Sequence, residues 1–167
     1  MALNQTTLRG ILAQILSVDE KYIVPKQGNW YNPQEANPNI ETWCAYRVKS
    51  NRPRTTPFYK DSEKNVNNAV QNYNSVNVLK IADIDLQFVG AKSEELANSV
   101  SFWNLRGDVK SAFAAVQGSV LYDEKTAISS DFYQDGNNTI VAWNTSIRVL
   151  WYDSMETNQS KITQVII

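Results

Sequence analysis

Two aspartates, Asp83 and Asp85, stand two apart in VNVLKIADIDLQFV and share one face of any extended strand there. A carboxylate pair so placed could hold a cation or divide acid and base roles. No third ligand stands at a defined spacing and the chain contains no His, so a solvated strand face accounts for the pair better. Asp131 and Asp135, in DFYQDGNN, approach a calcium-loop pattern but lack its D-x-D-x-D-G order and closing Glu, and a hairpin turn explains them. Cys44, the sole cysteine, has no His base anywhere and reads as a buried structural thiol. The six Gly never form a phosphate-cradling loop. The expectation is a non-enzymatic protein with no catalytic residue, metal or cofactor; an enzyme working through Asp83 and Asp85 is the disfavoured rival.

Charge gives a local signal only. With 16 Lys plus Arg against 17 Asp plus Glu, the net charge of −1 offers no global case for nucleic acid or an anionic membrane. Yet Arg47, Lys49, Arg52, Arg54 and Lys60 place five cations between residues 47 and 60 with no acid among them. They could meet DNA phosphates or an acidic protein face, against the alternative of an ordinary solvated loop. From Val120 onward acids prevail, giving −3, and a basic face with an acidic face suits head-to-tail ring assembly. Trp30 and Tyr31 lie in a breaker-rich loop where burial within the subunit is hard to arrange, which makes them candidate interface anchors. Ile162, Val165, Ile166 and Ile167 end a polar stretch with apolar side chains that want a partner or a groove.

The elements that must position these residues follow from periodicity. Residues 4–16 space Leu8, Ile11, Leu12, Ile15 and Leu16 as an amphipathic helix, with Asn4, Thr6 or Thr7 as its cap and Gly10 marking close packing against a neighbouring backbone. Residues 25–38 carry three Pro and read as a loop. Residues 41–50 alternate as a strand, one face apolar and the other turning basic. Residues 51–74 read as an exposed loop excursion with an extended piece near residues 55–59. A long strand over 76–89 is the clearest element, and it is long enough to project or to pair with another subunit. Residues 91–116 read as helix, with Ser93 and Asp108 as caps, a break at Gly107 and a stop at Gly118. Two strands over 120–131 and 138–153 flank an Asp-Gly hairpin turn. The 18 Asn favour turns and polar surface. The sum is one α+β domain over residues 1–167: a mainly antiparallel β-sheet covered by helices on one face, long loop excursions, and a polar to apolar C-terminal tail at about 154–167. The N-terminus shows no basic stretch followed by an apolar one, which predicts a soluble chain that is not exported.

This order of segments resembles the tail terminator and head–tail joining proteins of tailed-bacteriophage necks, the group with the gp12-like neck terminator domain. The resemblance lies in the opening helix with VDEKYIVPKQGNWYNP, the strand ETWCAYRVKSNRP, the long strand VNVLKIADIDLQFVG running into AKSEELANSV, and the closing strand VAWNTSIRVLWYD. The break at LRGD and the Asn-rich residues 65–77 depart from it. The resemblance implies a virion structural protein that forms a ring, a homo-hexamer, on the end of the tail tube. That ring would meet a head-tail connector or stopper protein, with dsDNA passing through its lumen. It implies a place in the virion neck or tail, after assembly in the host cytoplasm. The alternative from another class is a small adaptor or ligand-binding module using the Trp30–Tyr31 loop.

Overall fold

The structure is a computed structural model that describes residues 4–26, 42–66, 69–121, 128–135 and 138–157. Among these, α1 (Gln5–Leu16) leads through a 3₁₀ turn at Glu20–Tyr22 to β1 (Ile23–Pro25), followed by β2 (Thr42–Pro53), β3 (Phe58–Val66) and β4 (Ala69–Gly90). Then come α2 (Ser93–Ser99), a 3₁₀ turn at Val100–Phe102, α3 (Gly107–Ala114), β5 (Gly118–Leu121), β6 (Ser129–Asp135) and β7 (Asn138–Thr157). The seven strands form one sheet in the order β1-β2-β4-β7-β5, with β3 added to β4 and β6 added to β7. Only the β1–β2 pair is parallel. The α+β, mainly antiparallel architecture expected from the sequence is the one observed.

Burial explains the helix-covered face. Along β4, Ala82, Ile84, Leu86 and Phe88 point to one side and are buried. On β7, Ile147, Val149 and Trp151 join them, and from β2 come Cys44 and Tyr46. Leu8, Ile11, Leu12 and Ile15 of α1, Val109, Ala112 and Phe113 of α3, and Trp103 between the later helices close the core. Asn4 caps α1, its side-chain oxygen accepting from the Thr7 amide at 2.8 Å. Ser17 ends that helix at φ 55°, its turn closed by Val18 donating to the Ala13 carbonyl at 3.1 Å. Gly90 has φ 115°, a backbone conformation closed to residues with a Cβ, and this turns β4 directly into α2.

Several expectations are corrected. The excursion at residues 51–74 is mostly strand: β3 pairs with the first half of β4, from Phe58 opposite Asn77 to Val66 opposite Ala69. The polar Asn-rich stretch is thus held by antiparallel backbone pairing and needs no apolar face. β4 therefore spans 22 residues, about 70 Å at the usual rise per residue. β7 likewise runs on to Thr157, so the tail expected from residue 154 begins as strand; residues 158–167 lie outside the described residues. The 91–116 helix is two short helices, whose N-cap positions fall at Lys92 and Arg106 rather than Ser93 and Asp108 and carry no side-chain capping hydrogen bond. Gly107 opens the second helix, and Gly118 begins β5, where an added Cβ would sit 3.3 Å from the Leu150 carbonyl oxygen. A Cβ added at Gly10 would sit 3.3 Å from the Glu20 Oε1, so its close neighbour is a side chain and not a backbone. The loop at residues 25–38 falls, beyond Lys26, outside the described residues.

Candidate functional site

The strand register assembles the sequence-predicted charged residues on the side of the sheet that, among the described residues, carries no α-helix. Cross-strand partners share a face, so this side can be read as rows. Arg47, Asp85 and Ser146 form one row; Ser50, Asp83 and Arg148 form the next; Arg52, Ile81 and Leu150 form the third. Strict alternation along β2 would send Arg47 and Arg52 to opposite faces. A register shift between Val48 and Ser50 inserts Lys49 as an extra residue and brings Arg52 round to the face of Arg47.

Asp85 accepts the Lys49 ammonium at 2.8 Å and lies 3.7 Å from the Arg47 guanidinium. Arg148 donates to Asp83 at 2.6 Å. Both carboxylates keep 26% side-chain exposure, so they are half-buried and ion-paired rather than freely solvated as the sequence predicts. Cations engage both carboxylates. Among the described residues no three His, Cys, Asp or Glu gather as a metal site. Cys44 is buried and burial pushes its thiol far above the usual range, the opposite of an activated nucleophile.

Above this ladder Lys26, Lys49, Asp85, Gln87, Asn144 and Ser146 line a cavity of about 400 Å³. Beyond it, Trp43, Ala45, Val89 and Ala142 are buried on the same side, with Tyr22 and Val24 against them. At the other end the face turns apolar and exposed: Leu79 opposes Tyr152, Ile81 opposes Leu150, and Phe58 stands in the next row opposite Asn77. Phe58 and Tyr152 are 44% and 43% exposed, a large fraction for aromatic rings. Sequence alone hides this strip, because Phe58 falls in a stretch that reads as loop and its neighbours come from three strands. The signal available was the parity shared by Leu79 and Ile81, opposite to the core residues of β4.

Of the five cations between residues 47 and 60, Arg47 and Lys49 lie in β2 and are matched by Asp85. Arg52 and Arg54 are exposed at the strand's end, where the Arg54 amide donates to the Leu79 carbonyl at 2.7 Å. Lys60 is placed by its backbone alone, in β3 opposite Ser75. Trp30, Tyr31, Ile162, Val165, Ile166 and Ile167 lie outside the described residues. On the other face a second ion pair, Lys80 with Asp153 at 2.5 Å, sits where the helical layer ends, the ammonium 5.3 Å from the centre of the Trp151 ring. Phe102 and Leu105, 62% and 70% exposed, form an apolar knuckle in the segment between α2 and α3. Among the described residues no helix is long and apolar enough to cross a membrane. Set against known proteins, the sequence matches no family model and no curated relative.

Proposed function

We propose that the chain is a structural subunit of a bacteriophage neck. It forms a ring, a homo-hexamer, that caps the tail tube and joins it to the head connector or stopper protein, with DNA passing through the lumen. The observation that carries this reading is the length of β4 and β7, 22 and 20 residues. Among the described residues, α-helices of 12, 7 and 8 residues cover only part of such a sheet. Beyond Val78 the sheet continues as β3, the first half of β4 and the end of β7, paired from Asn77 opposite Ser154 to Asn74 opposite Thr157. A projecting sheet of this kind gains its burial from a neighbour, and among the described strands β3 and β6 each pair on one side only. The near-neutral net charge supports a lumen through which DNA slides without being held. No chemical step is assigned to any residue.

The test is a stop codon at Trp30 in the phage that carries the gene, followed by electron microscopy of the lysate. Overlong tails, or tails unattached beside filled heads, are the expected result, and such particles place the protein in the neck of the virion. Intact infectious particles would overturn the reading in favour of the adaptor alternative.

A further inference from the structure

We infer that the helix-free face is a docking surface for an acidic protein partner, with the rows at Leu79 and Ile81 as its apolar centre and Arg52 and Arg54 as its rim. Charge supplies the first argument. By the strand register this face carries Lys26, Arg47, Lys49, Arg52, Lys60, Lys64 and Arg148 with Asp83, Asp85, Asp131, Asp135 and Glu156, so the face as a whole is close to balance and the excess is local to the apolar rows. Arg52 and Arg54 add exposed positive charge beside the apolar rows. This local positive charge, beside an apolar centre, is complementary to carboxylates of a partner outside the subunit.

The second argument selects protein over nucleic acid. A phosphate-tracking surface is a polar run of unmatched cations, whereas here half-exposed Phe58 and Tyr152 lie beside Arg52, with Leu79, Ile81 and Leu150 between them. Aromatic and Arg side chains around an apolar centre are the composition of a protein–protein contact. The Lys49 bulge is what builds it: without that extra residue, Arg52 would leave this face and the rim would lose its charge. This inference names the chemistry of the docking partner within the neck reading, and rests on that reading only for where the partner is found.

The experiment titrates the full chain into three fluorescent probes: a helical peptide with a leucine stripe flanked by glutamates, the same peptide with lysines in place of the glutamates, and a short DNA duplex. Saturable binding of the glutamate peptide is expected, weakened about tenfold or more by the double substitution Arg52→Glu, Arg54→Glu. The Tyr152→Ser change should weaken it several-fold with the salt dependence unchanged. Both arginines are exposed, and Arg52→Ala with Arg54→Ala serves as the milder variant should the reversal disturb folding. Equal affinity for the two peptides, tighter binding of the duplex, or no saturation would each overturn the inference. The assay reads the isolated chain, so its failure leaves the neck reading standing, and normal particles from the stop-codon phage would leave the docking chemistry standing.

Discussion

Between Lys80 and Gly90 the even-numbered residues of β4 face three helices, and the odd-numbered residues face none. The first set supplies Ala82, Ile84, Leu86 and Phe88, all at most 1% exposed. The second supplies Ile81, Asp83, Asp85, Gln87 and Val89, which pass from half-buried apolar through paired carboxylates to a buried polar amide and a buried Val. The difference shows which interactions hold the fold and which are left for contacts outside it. Apolar burial is concentrated on the helix side and is worth kilocalories per side chain, whereas half-exposed ion pairs on the open side are worth far less. From Ile81 to Asp85 the open side can therefore change its chemistry with little loss of stability, which is what a recognition surface needs, whereas toward Val89 the same side is closed by buried Trp43 and Ala142.

The largest expected effect breaks the covered face. Phe88→Ala removes a fully buried ring flanked by Cys44 and Trp143 and should cost about 3–5 kcal/mol in a denaturant titration. Ile81→Ala, one row past the ion pairs on the open face, should cost about 1–2 kcal/mol, since its side chain is half-exposed before the change. Equal losses at the two sites would abolish the distinction between the faces. Next in size is Gly90→Ala, which forces a Cβ onto a residue with φ 115° at the turn that carries β4 into α2. A loss of about 1–3 kcal/mol is expected by the same titration, with the far-ultraviolet spectrum unchanged.

The two faces also differ in how far the sequence revealed them. The covered face was legible because burial imposes a period of two, and Ala82, Ile84, Leu86 and Phe88 carry it plainly. Helix α1 was legible for the same reason at a period of 3.6, and the break before Gly107 through its turn chemistry. The first half of β4 and all of β3 were not. Val70, Asn72, Asn74 and Val76 show no apolar alternation, because that region is held by backbone pairing, with β3 throughout and with β7 from Asn74 onward. The pairing of Asp83 with Arg148, 65 residues away, and the shift of register at Lys49 depend on which strand lies beside which, and no local pattern encodes that.

The Asp83–Arg148 pair sharpens the comparison at lower energy. With 26% and 36% side-chain exposure the attraction is partly screened, so a double-mutant cycle using Asp83→Asn and Arg148→Gln should return a coupling of about 0.5–1 kcal/mol. Added salt should reduce that coupling, while leaving the cost of Phe88→Ala unchanged. A coupling above that of a half-exposed pair would mean that the open face is dry in the isolated subunit, and would place it with the core.

The smallest effect belongs to charge on the outside of the helical layer. A hydrogen bond from the Arg106 guanidinium, with its positive charge, holds the Asp108 carboxyl below its ordinary value of 3.8. A depressed carboxylate stabilises the folded chain at every pH above the unfolded value, and that contribution disappears as pH falls through the folded one. Asp108→Asn should therefore leave a variant whose stability falls slightly less steeply than the parent's on acidification, with the two curves converging at the acid end. Asp19 behaves in the same direction through the backbone amide of Lys21, and provides an independent site for the same measurement. Both groups are fully solvated, so the change in slope should be small beside any change made on the covered face. A steep acid transition abolished by Asp108→Asn would instead assign this surface pair a structural weight that its exposure denies.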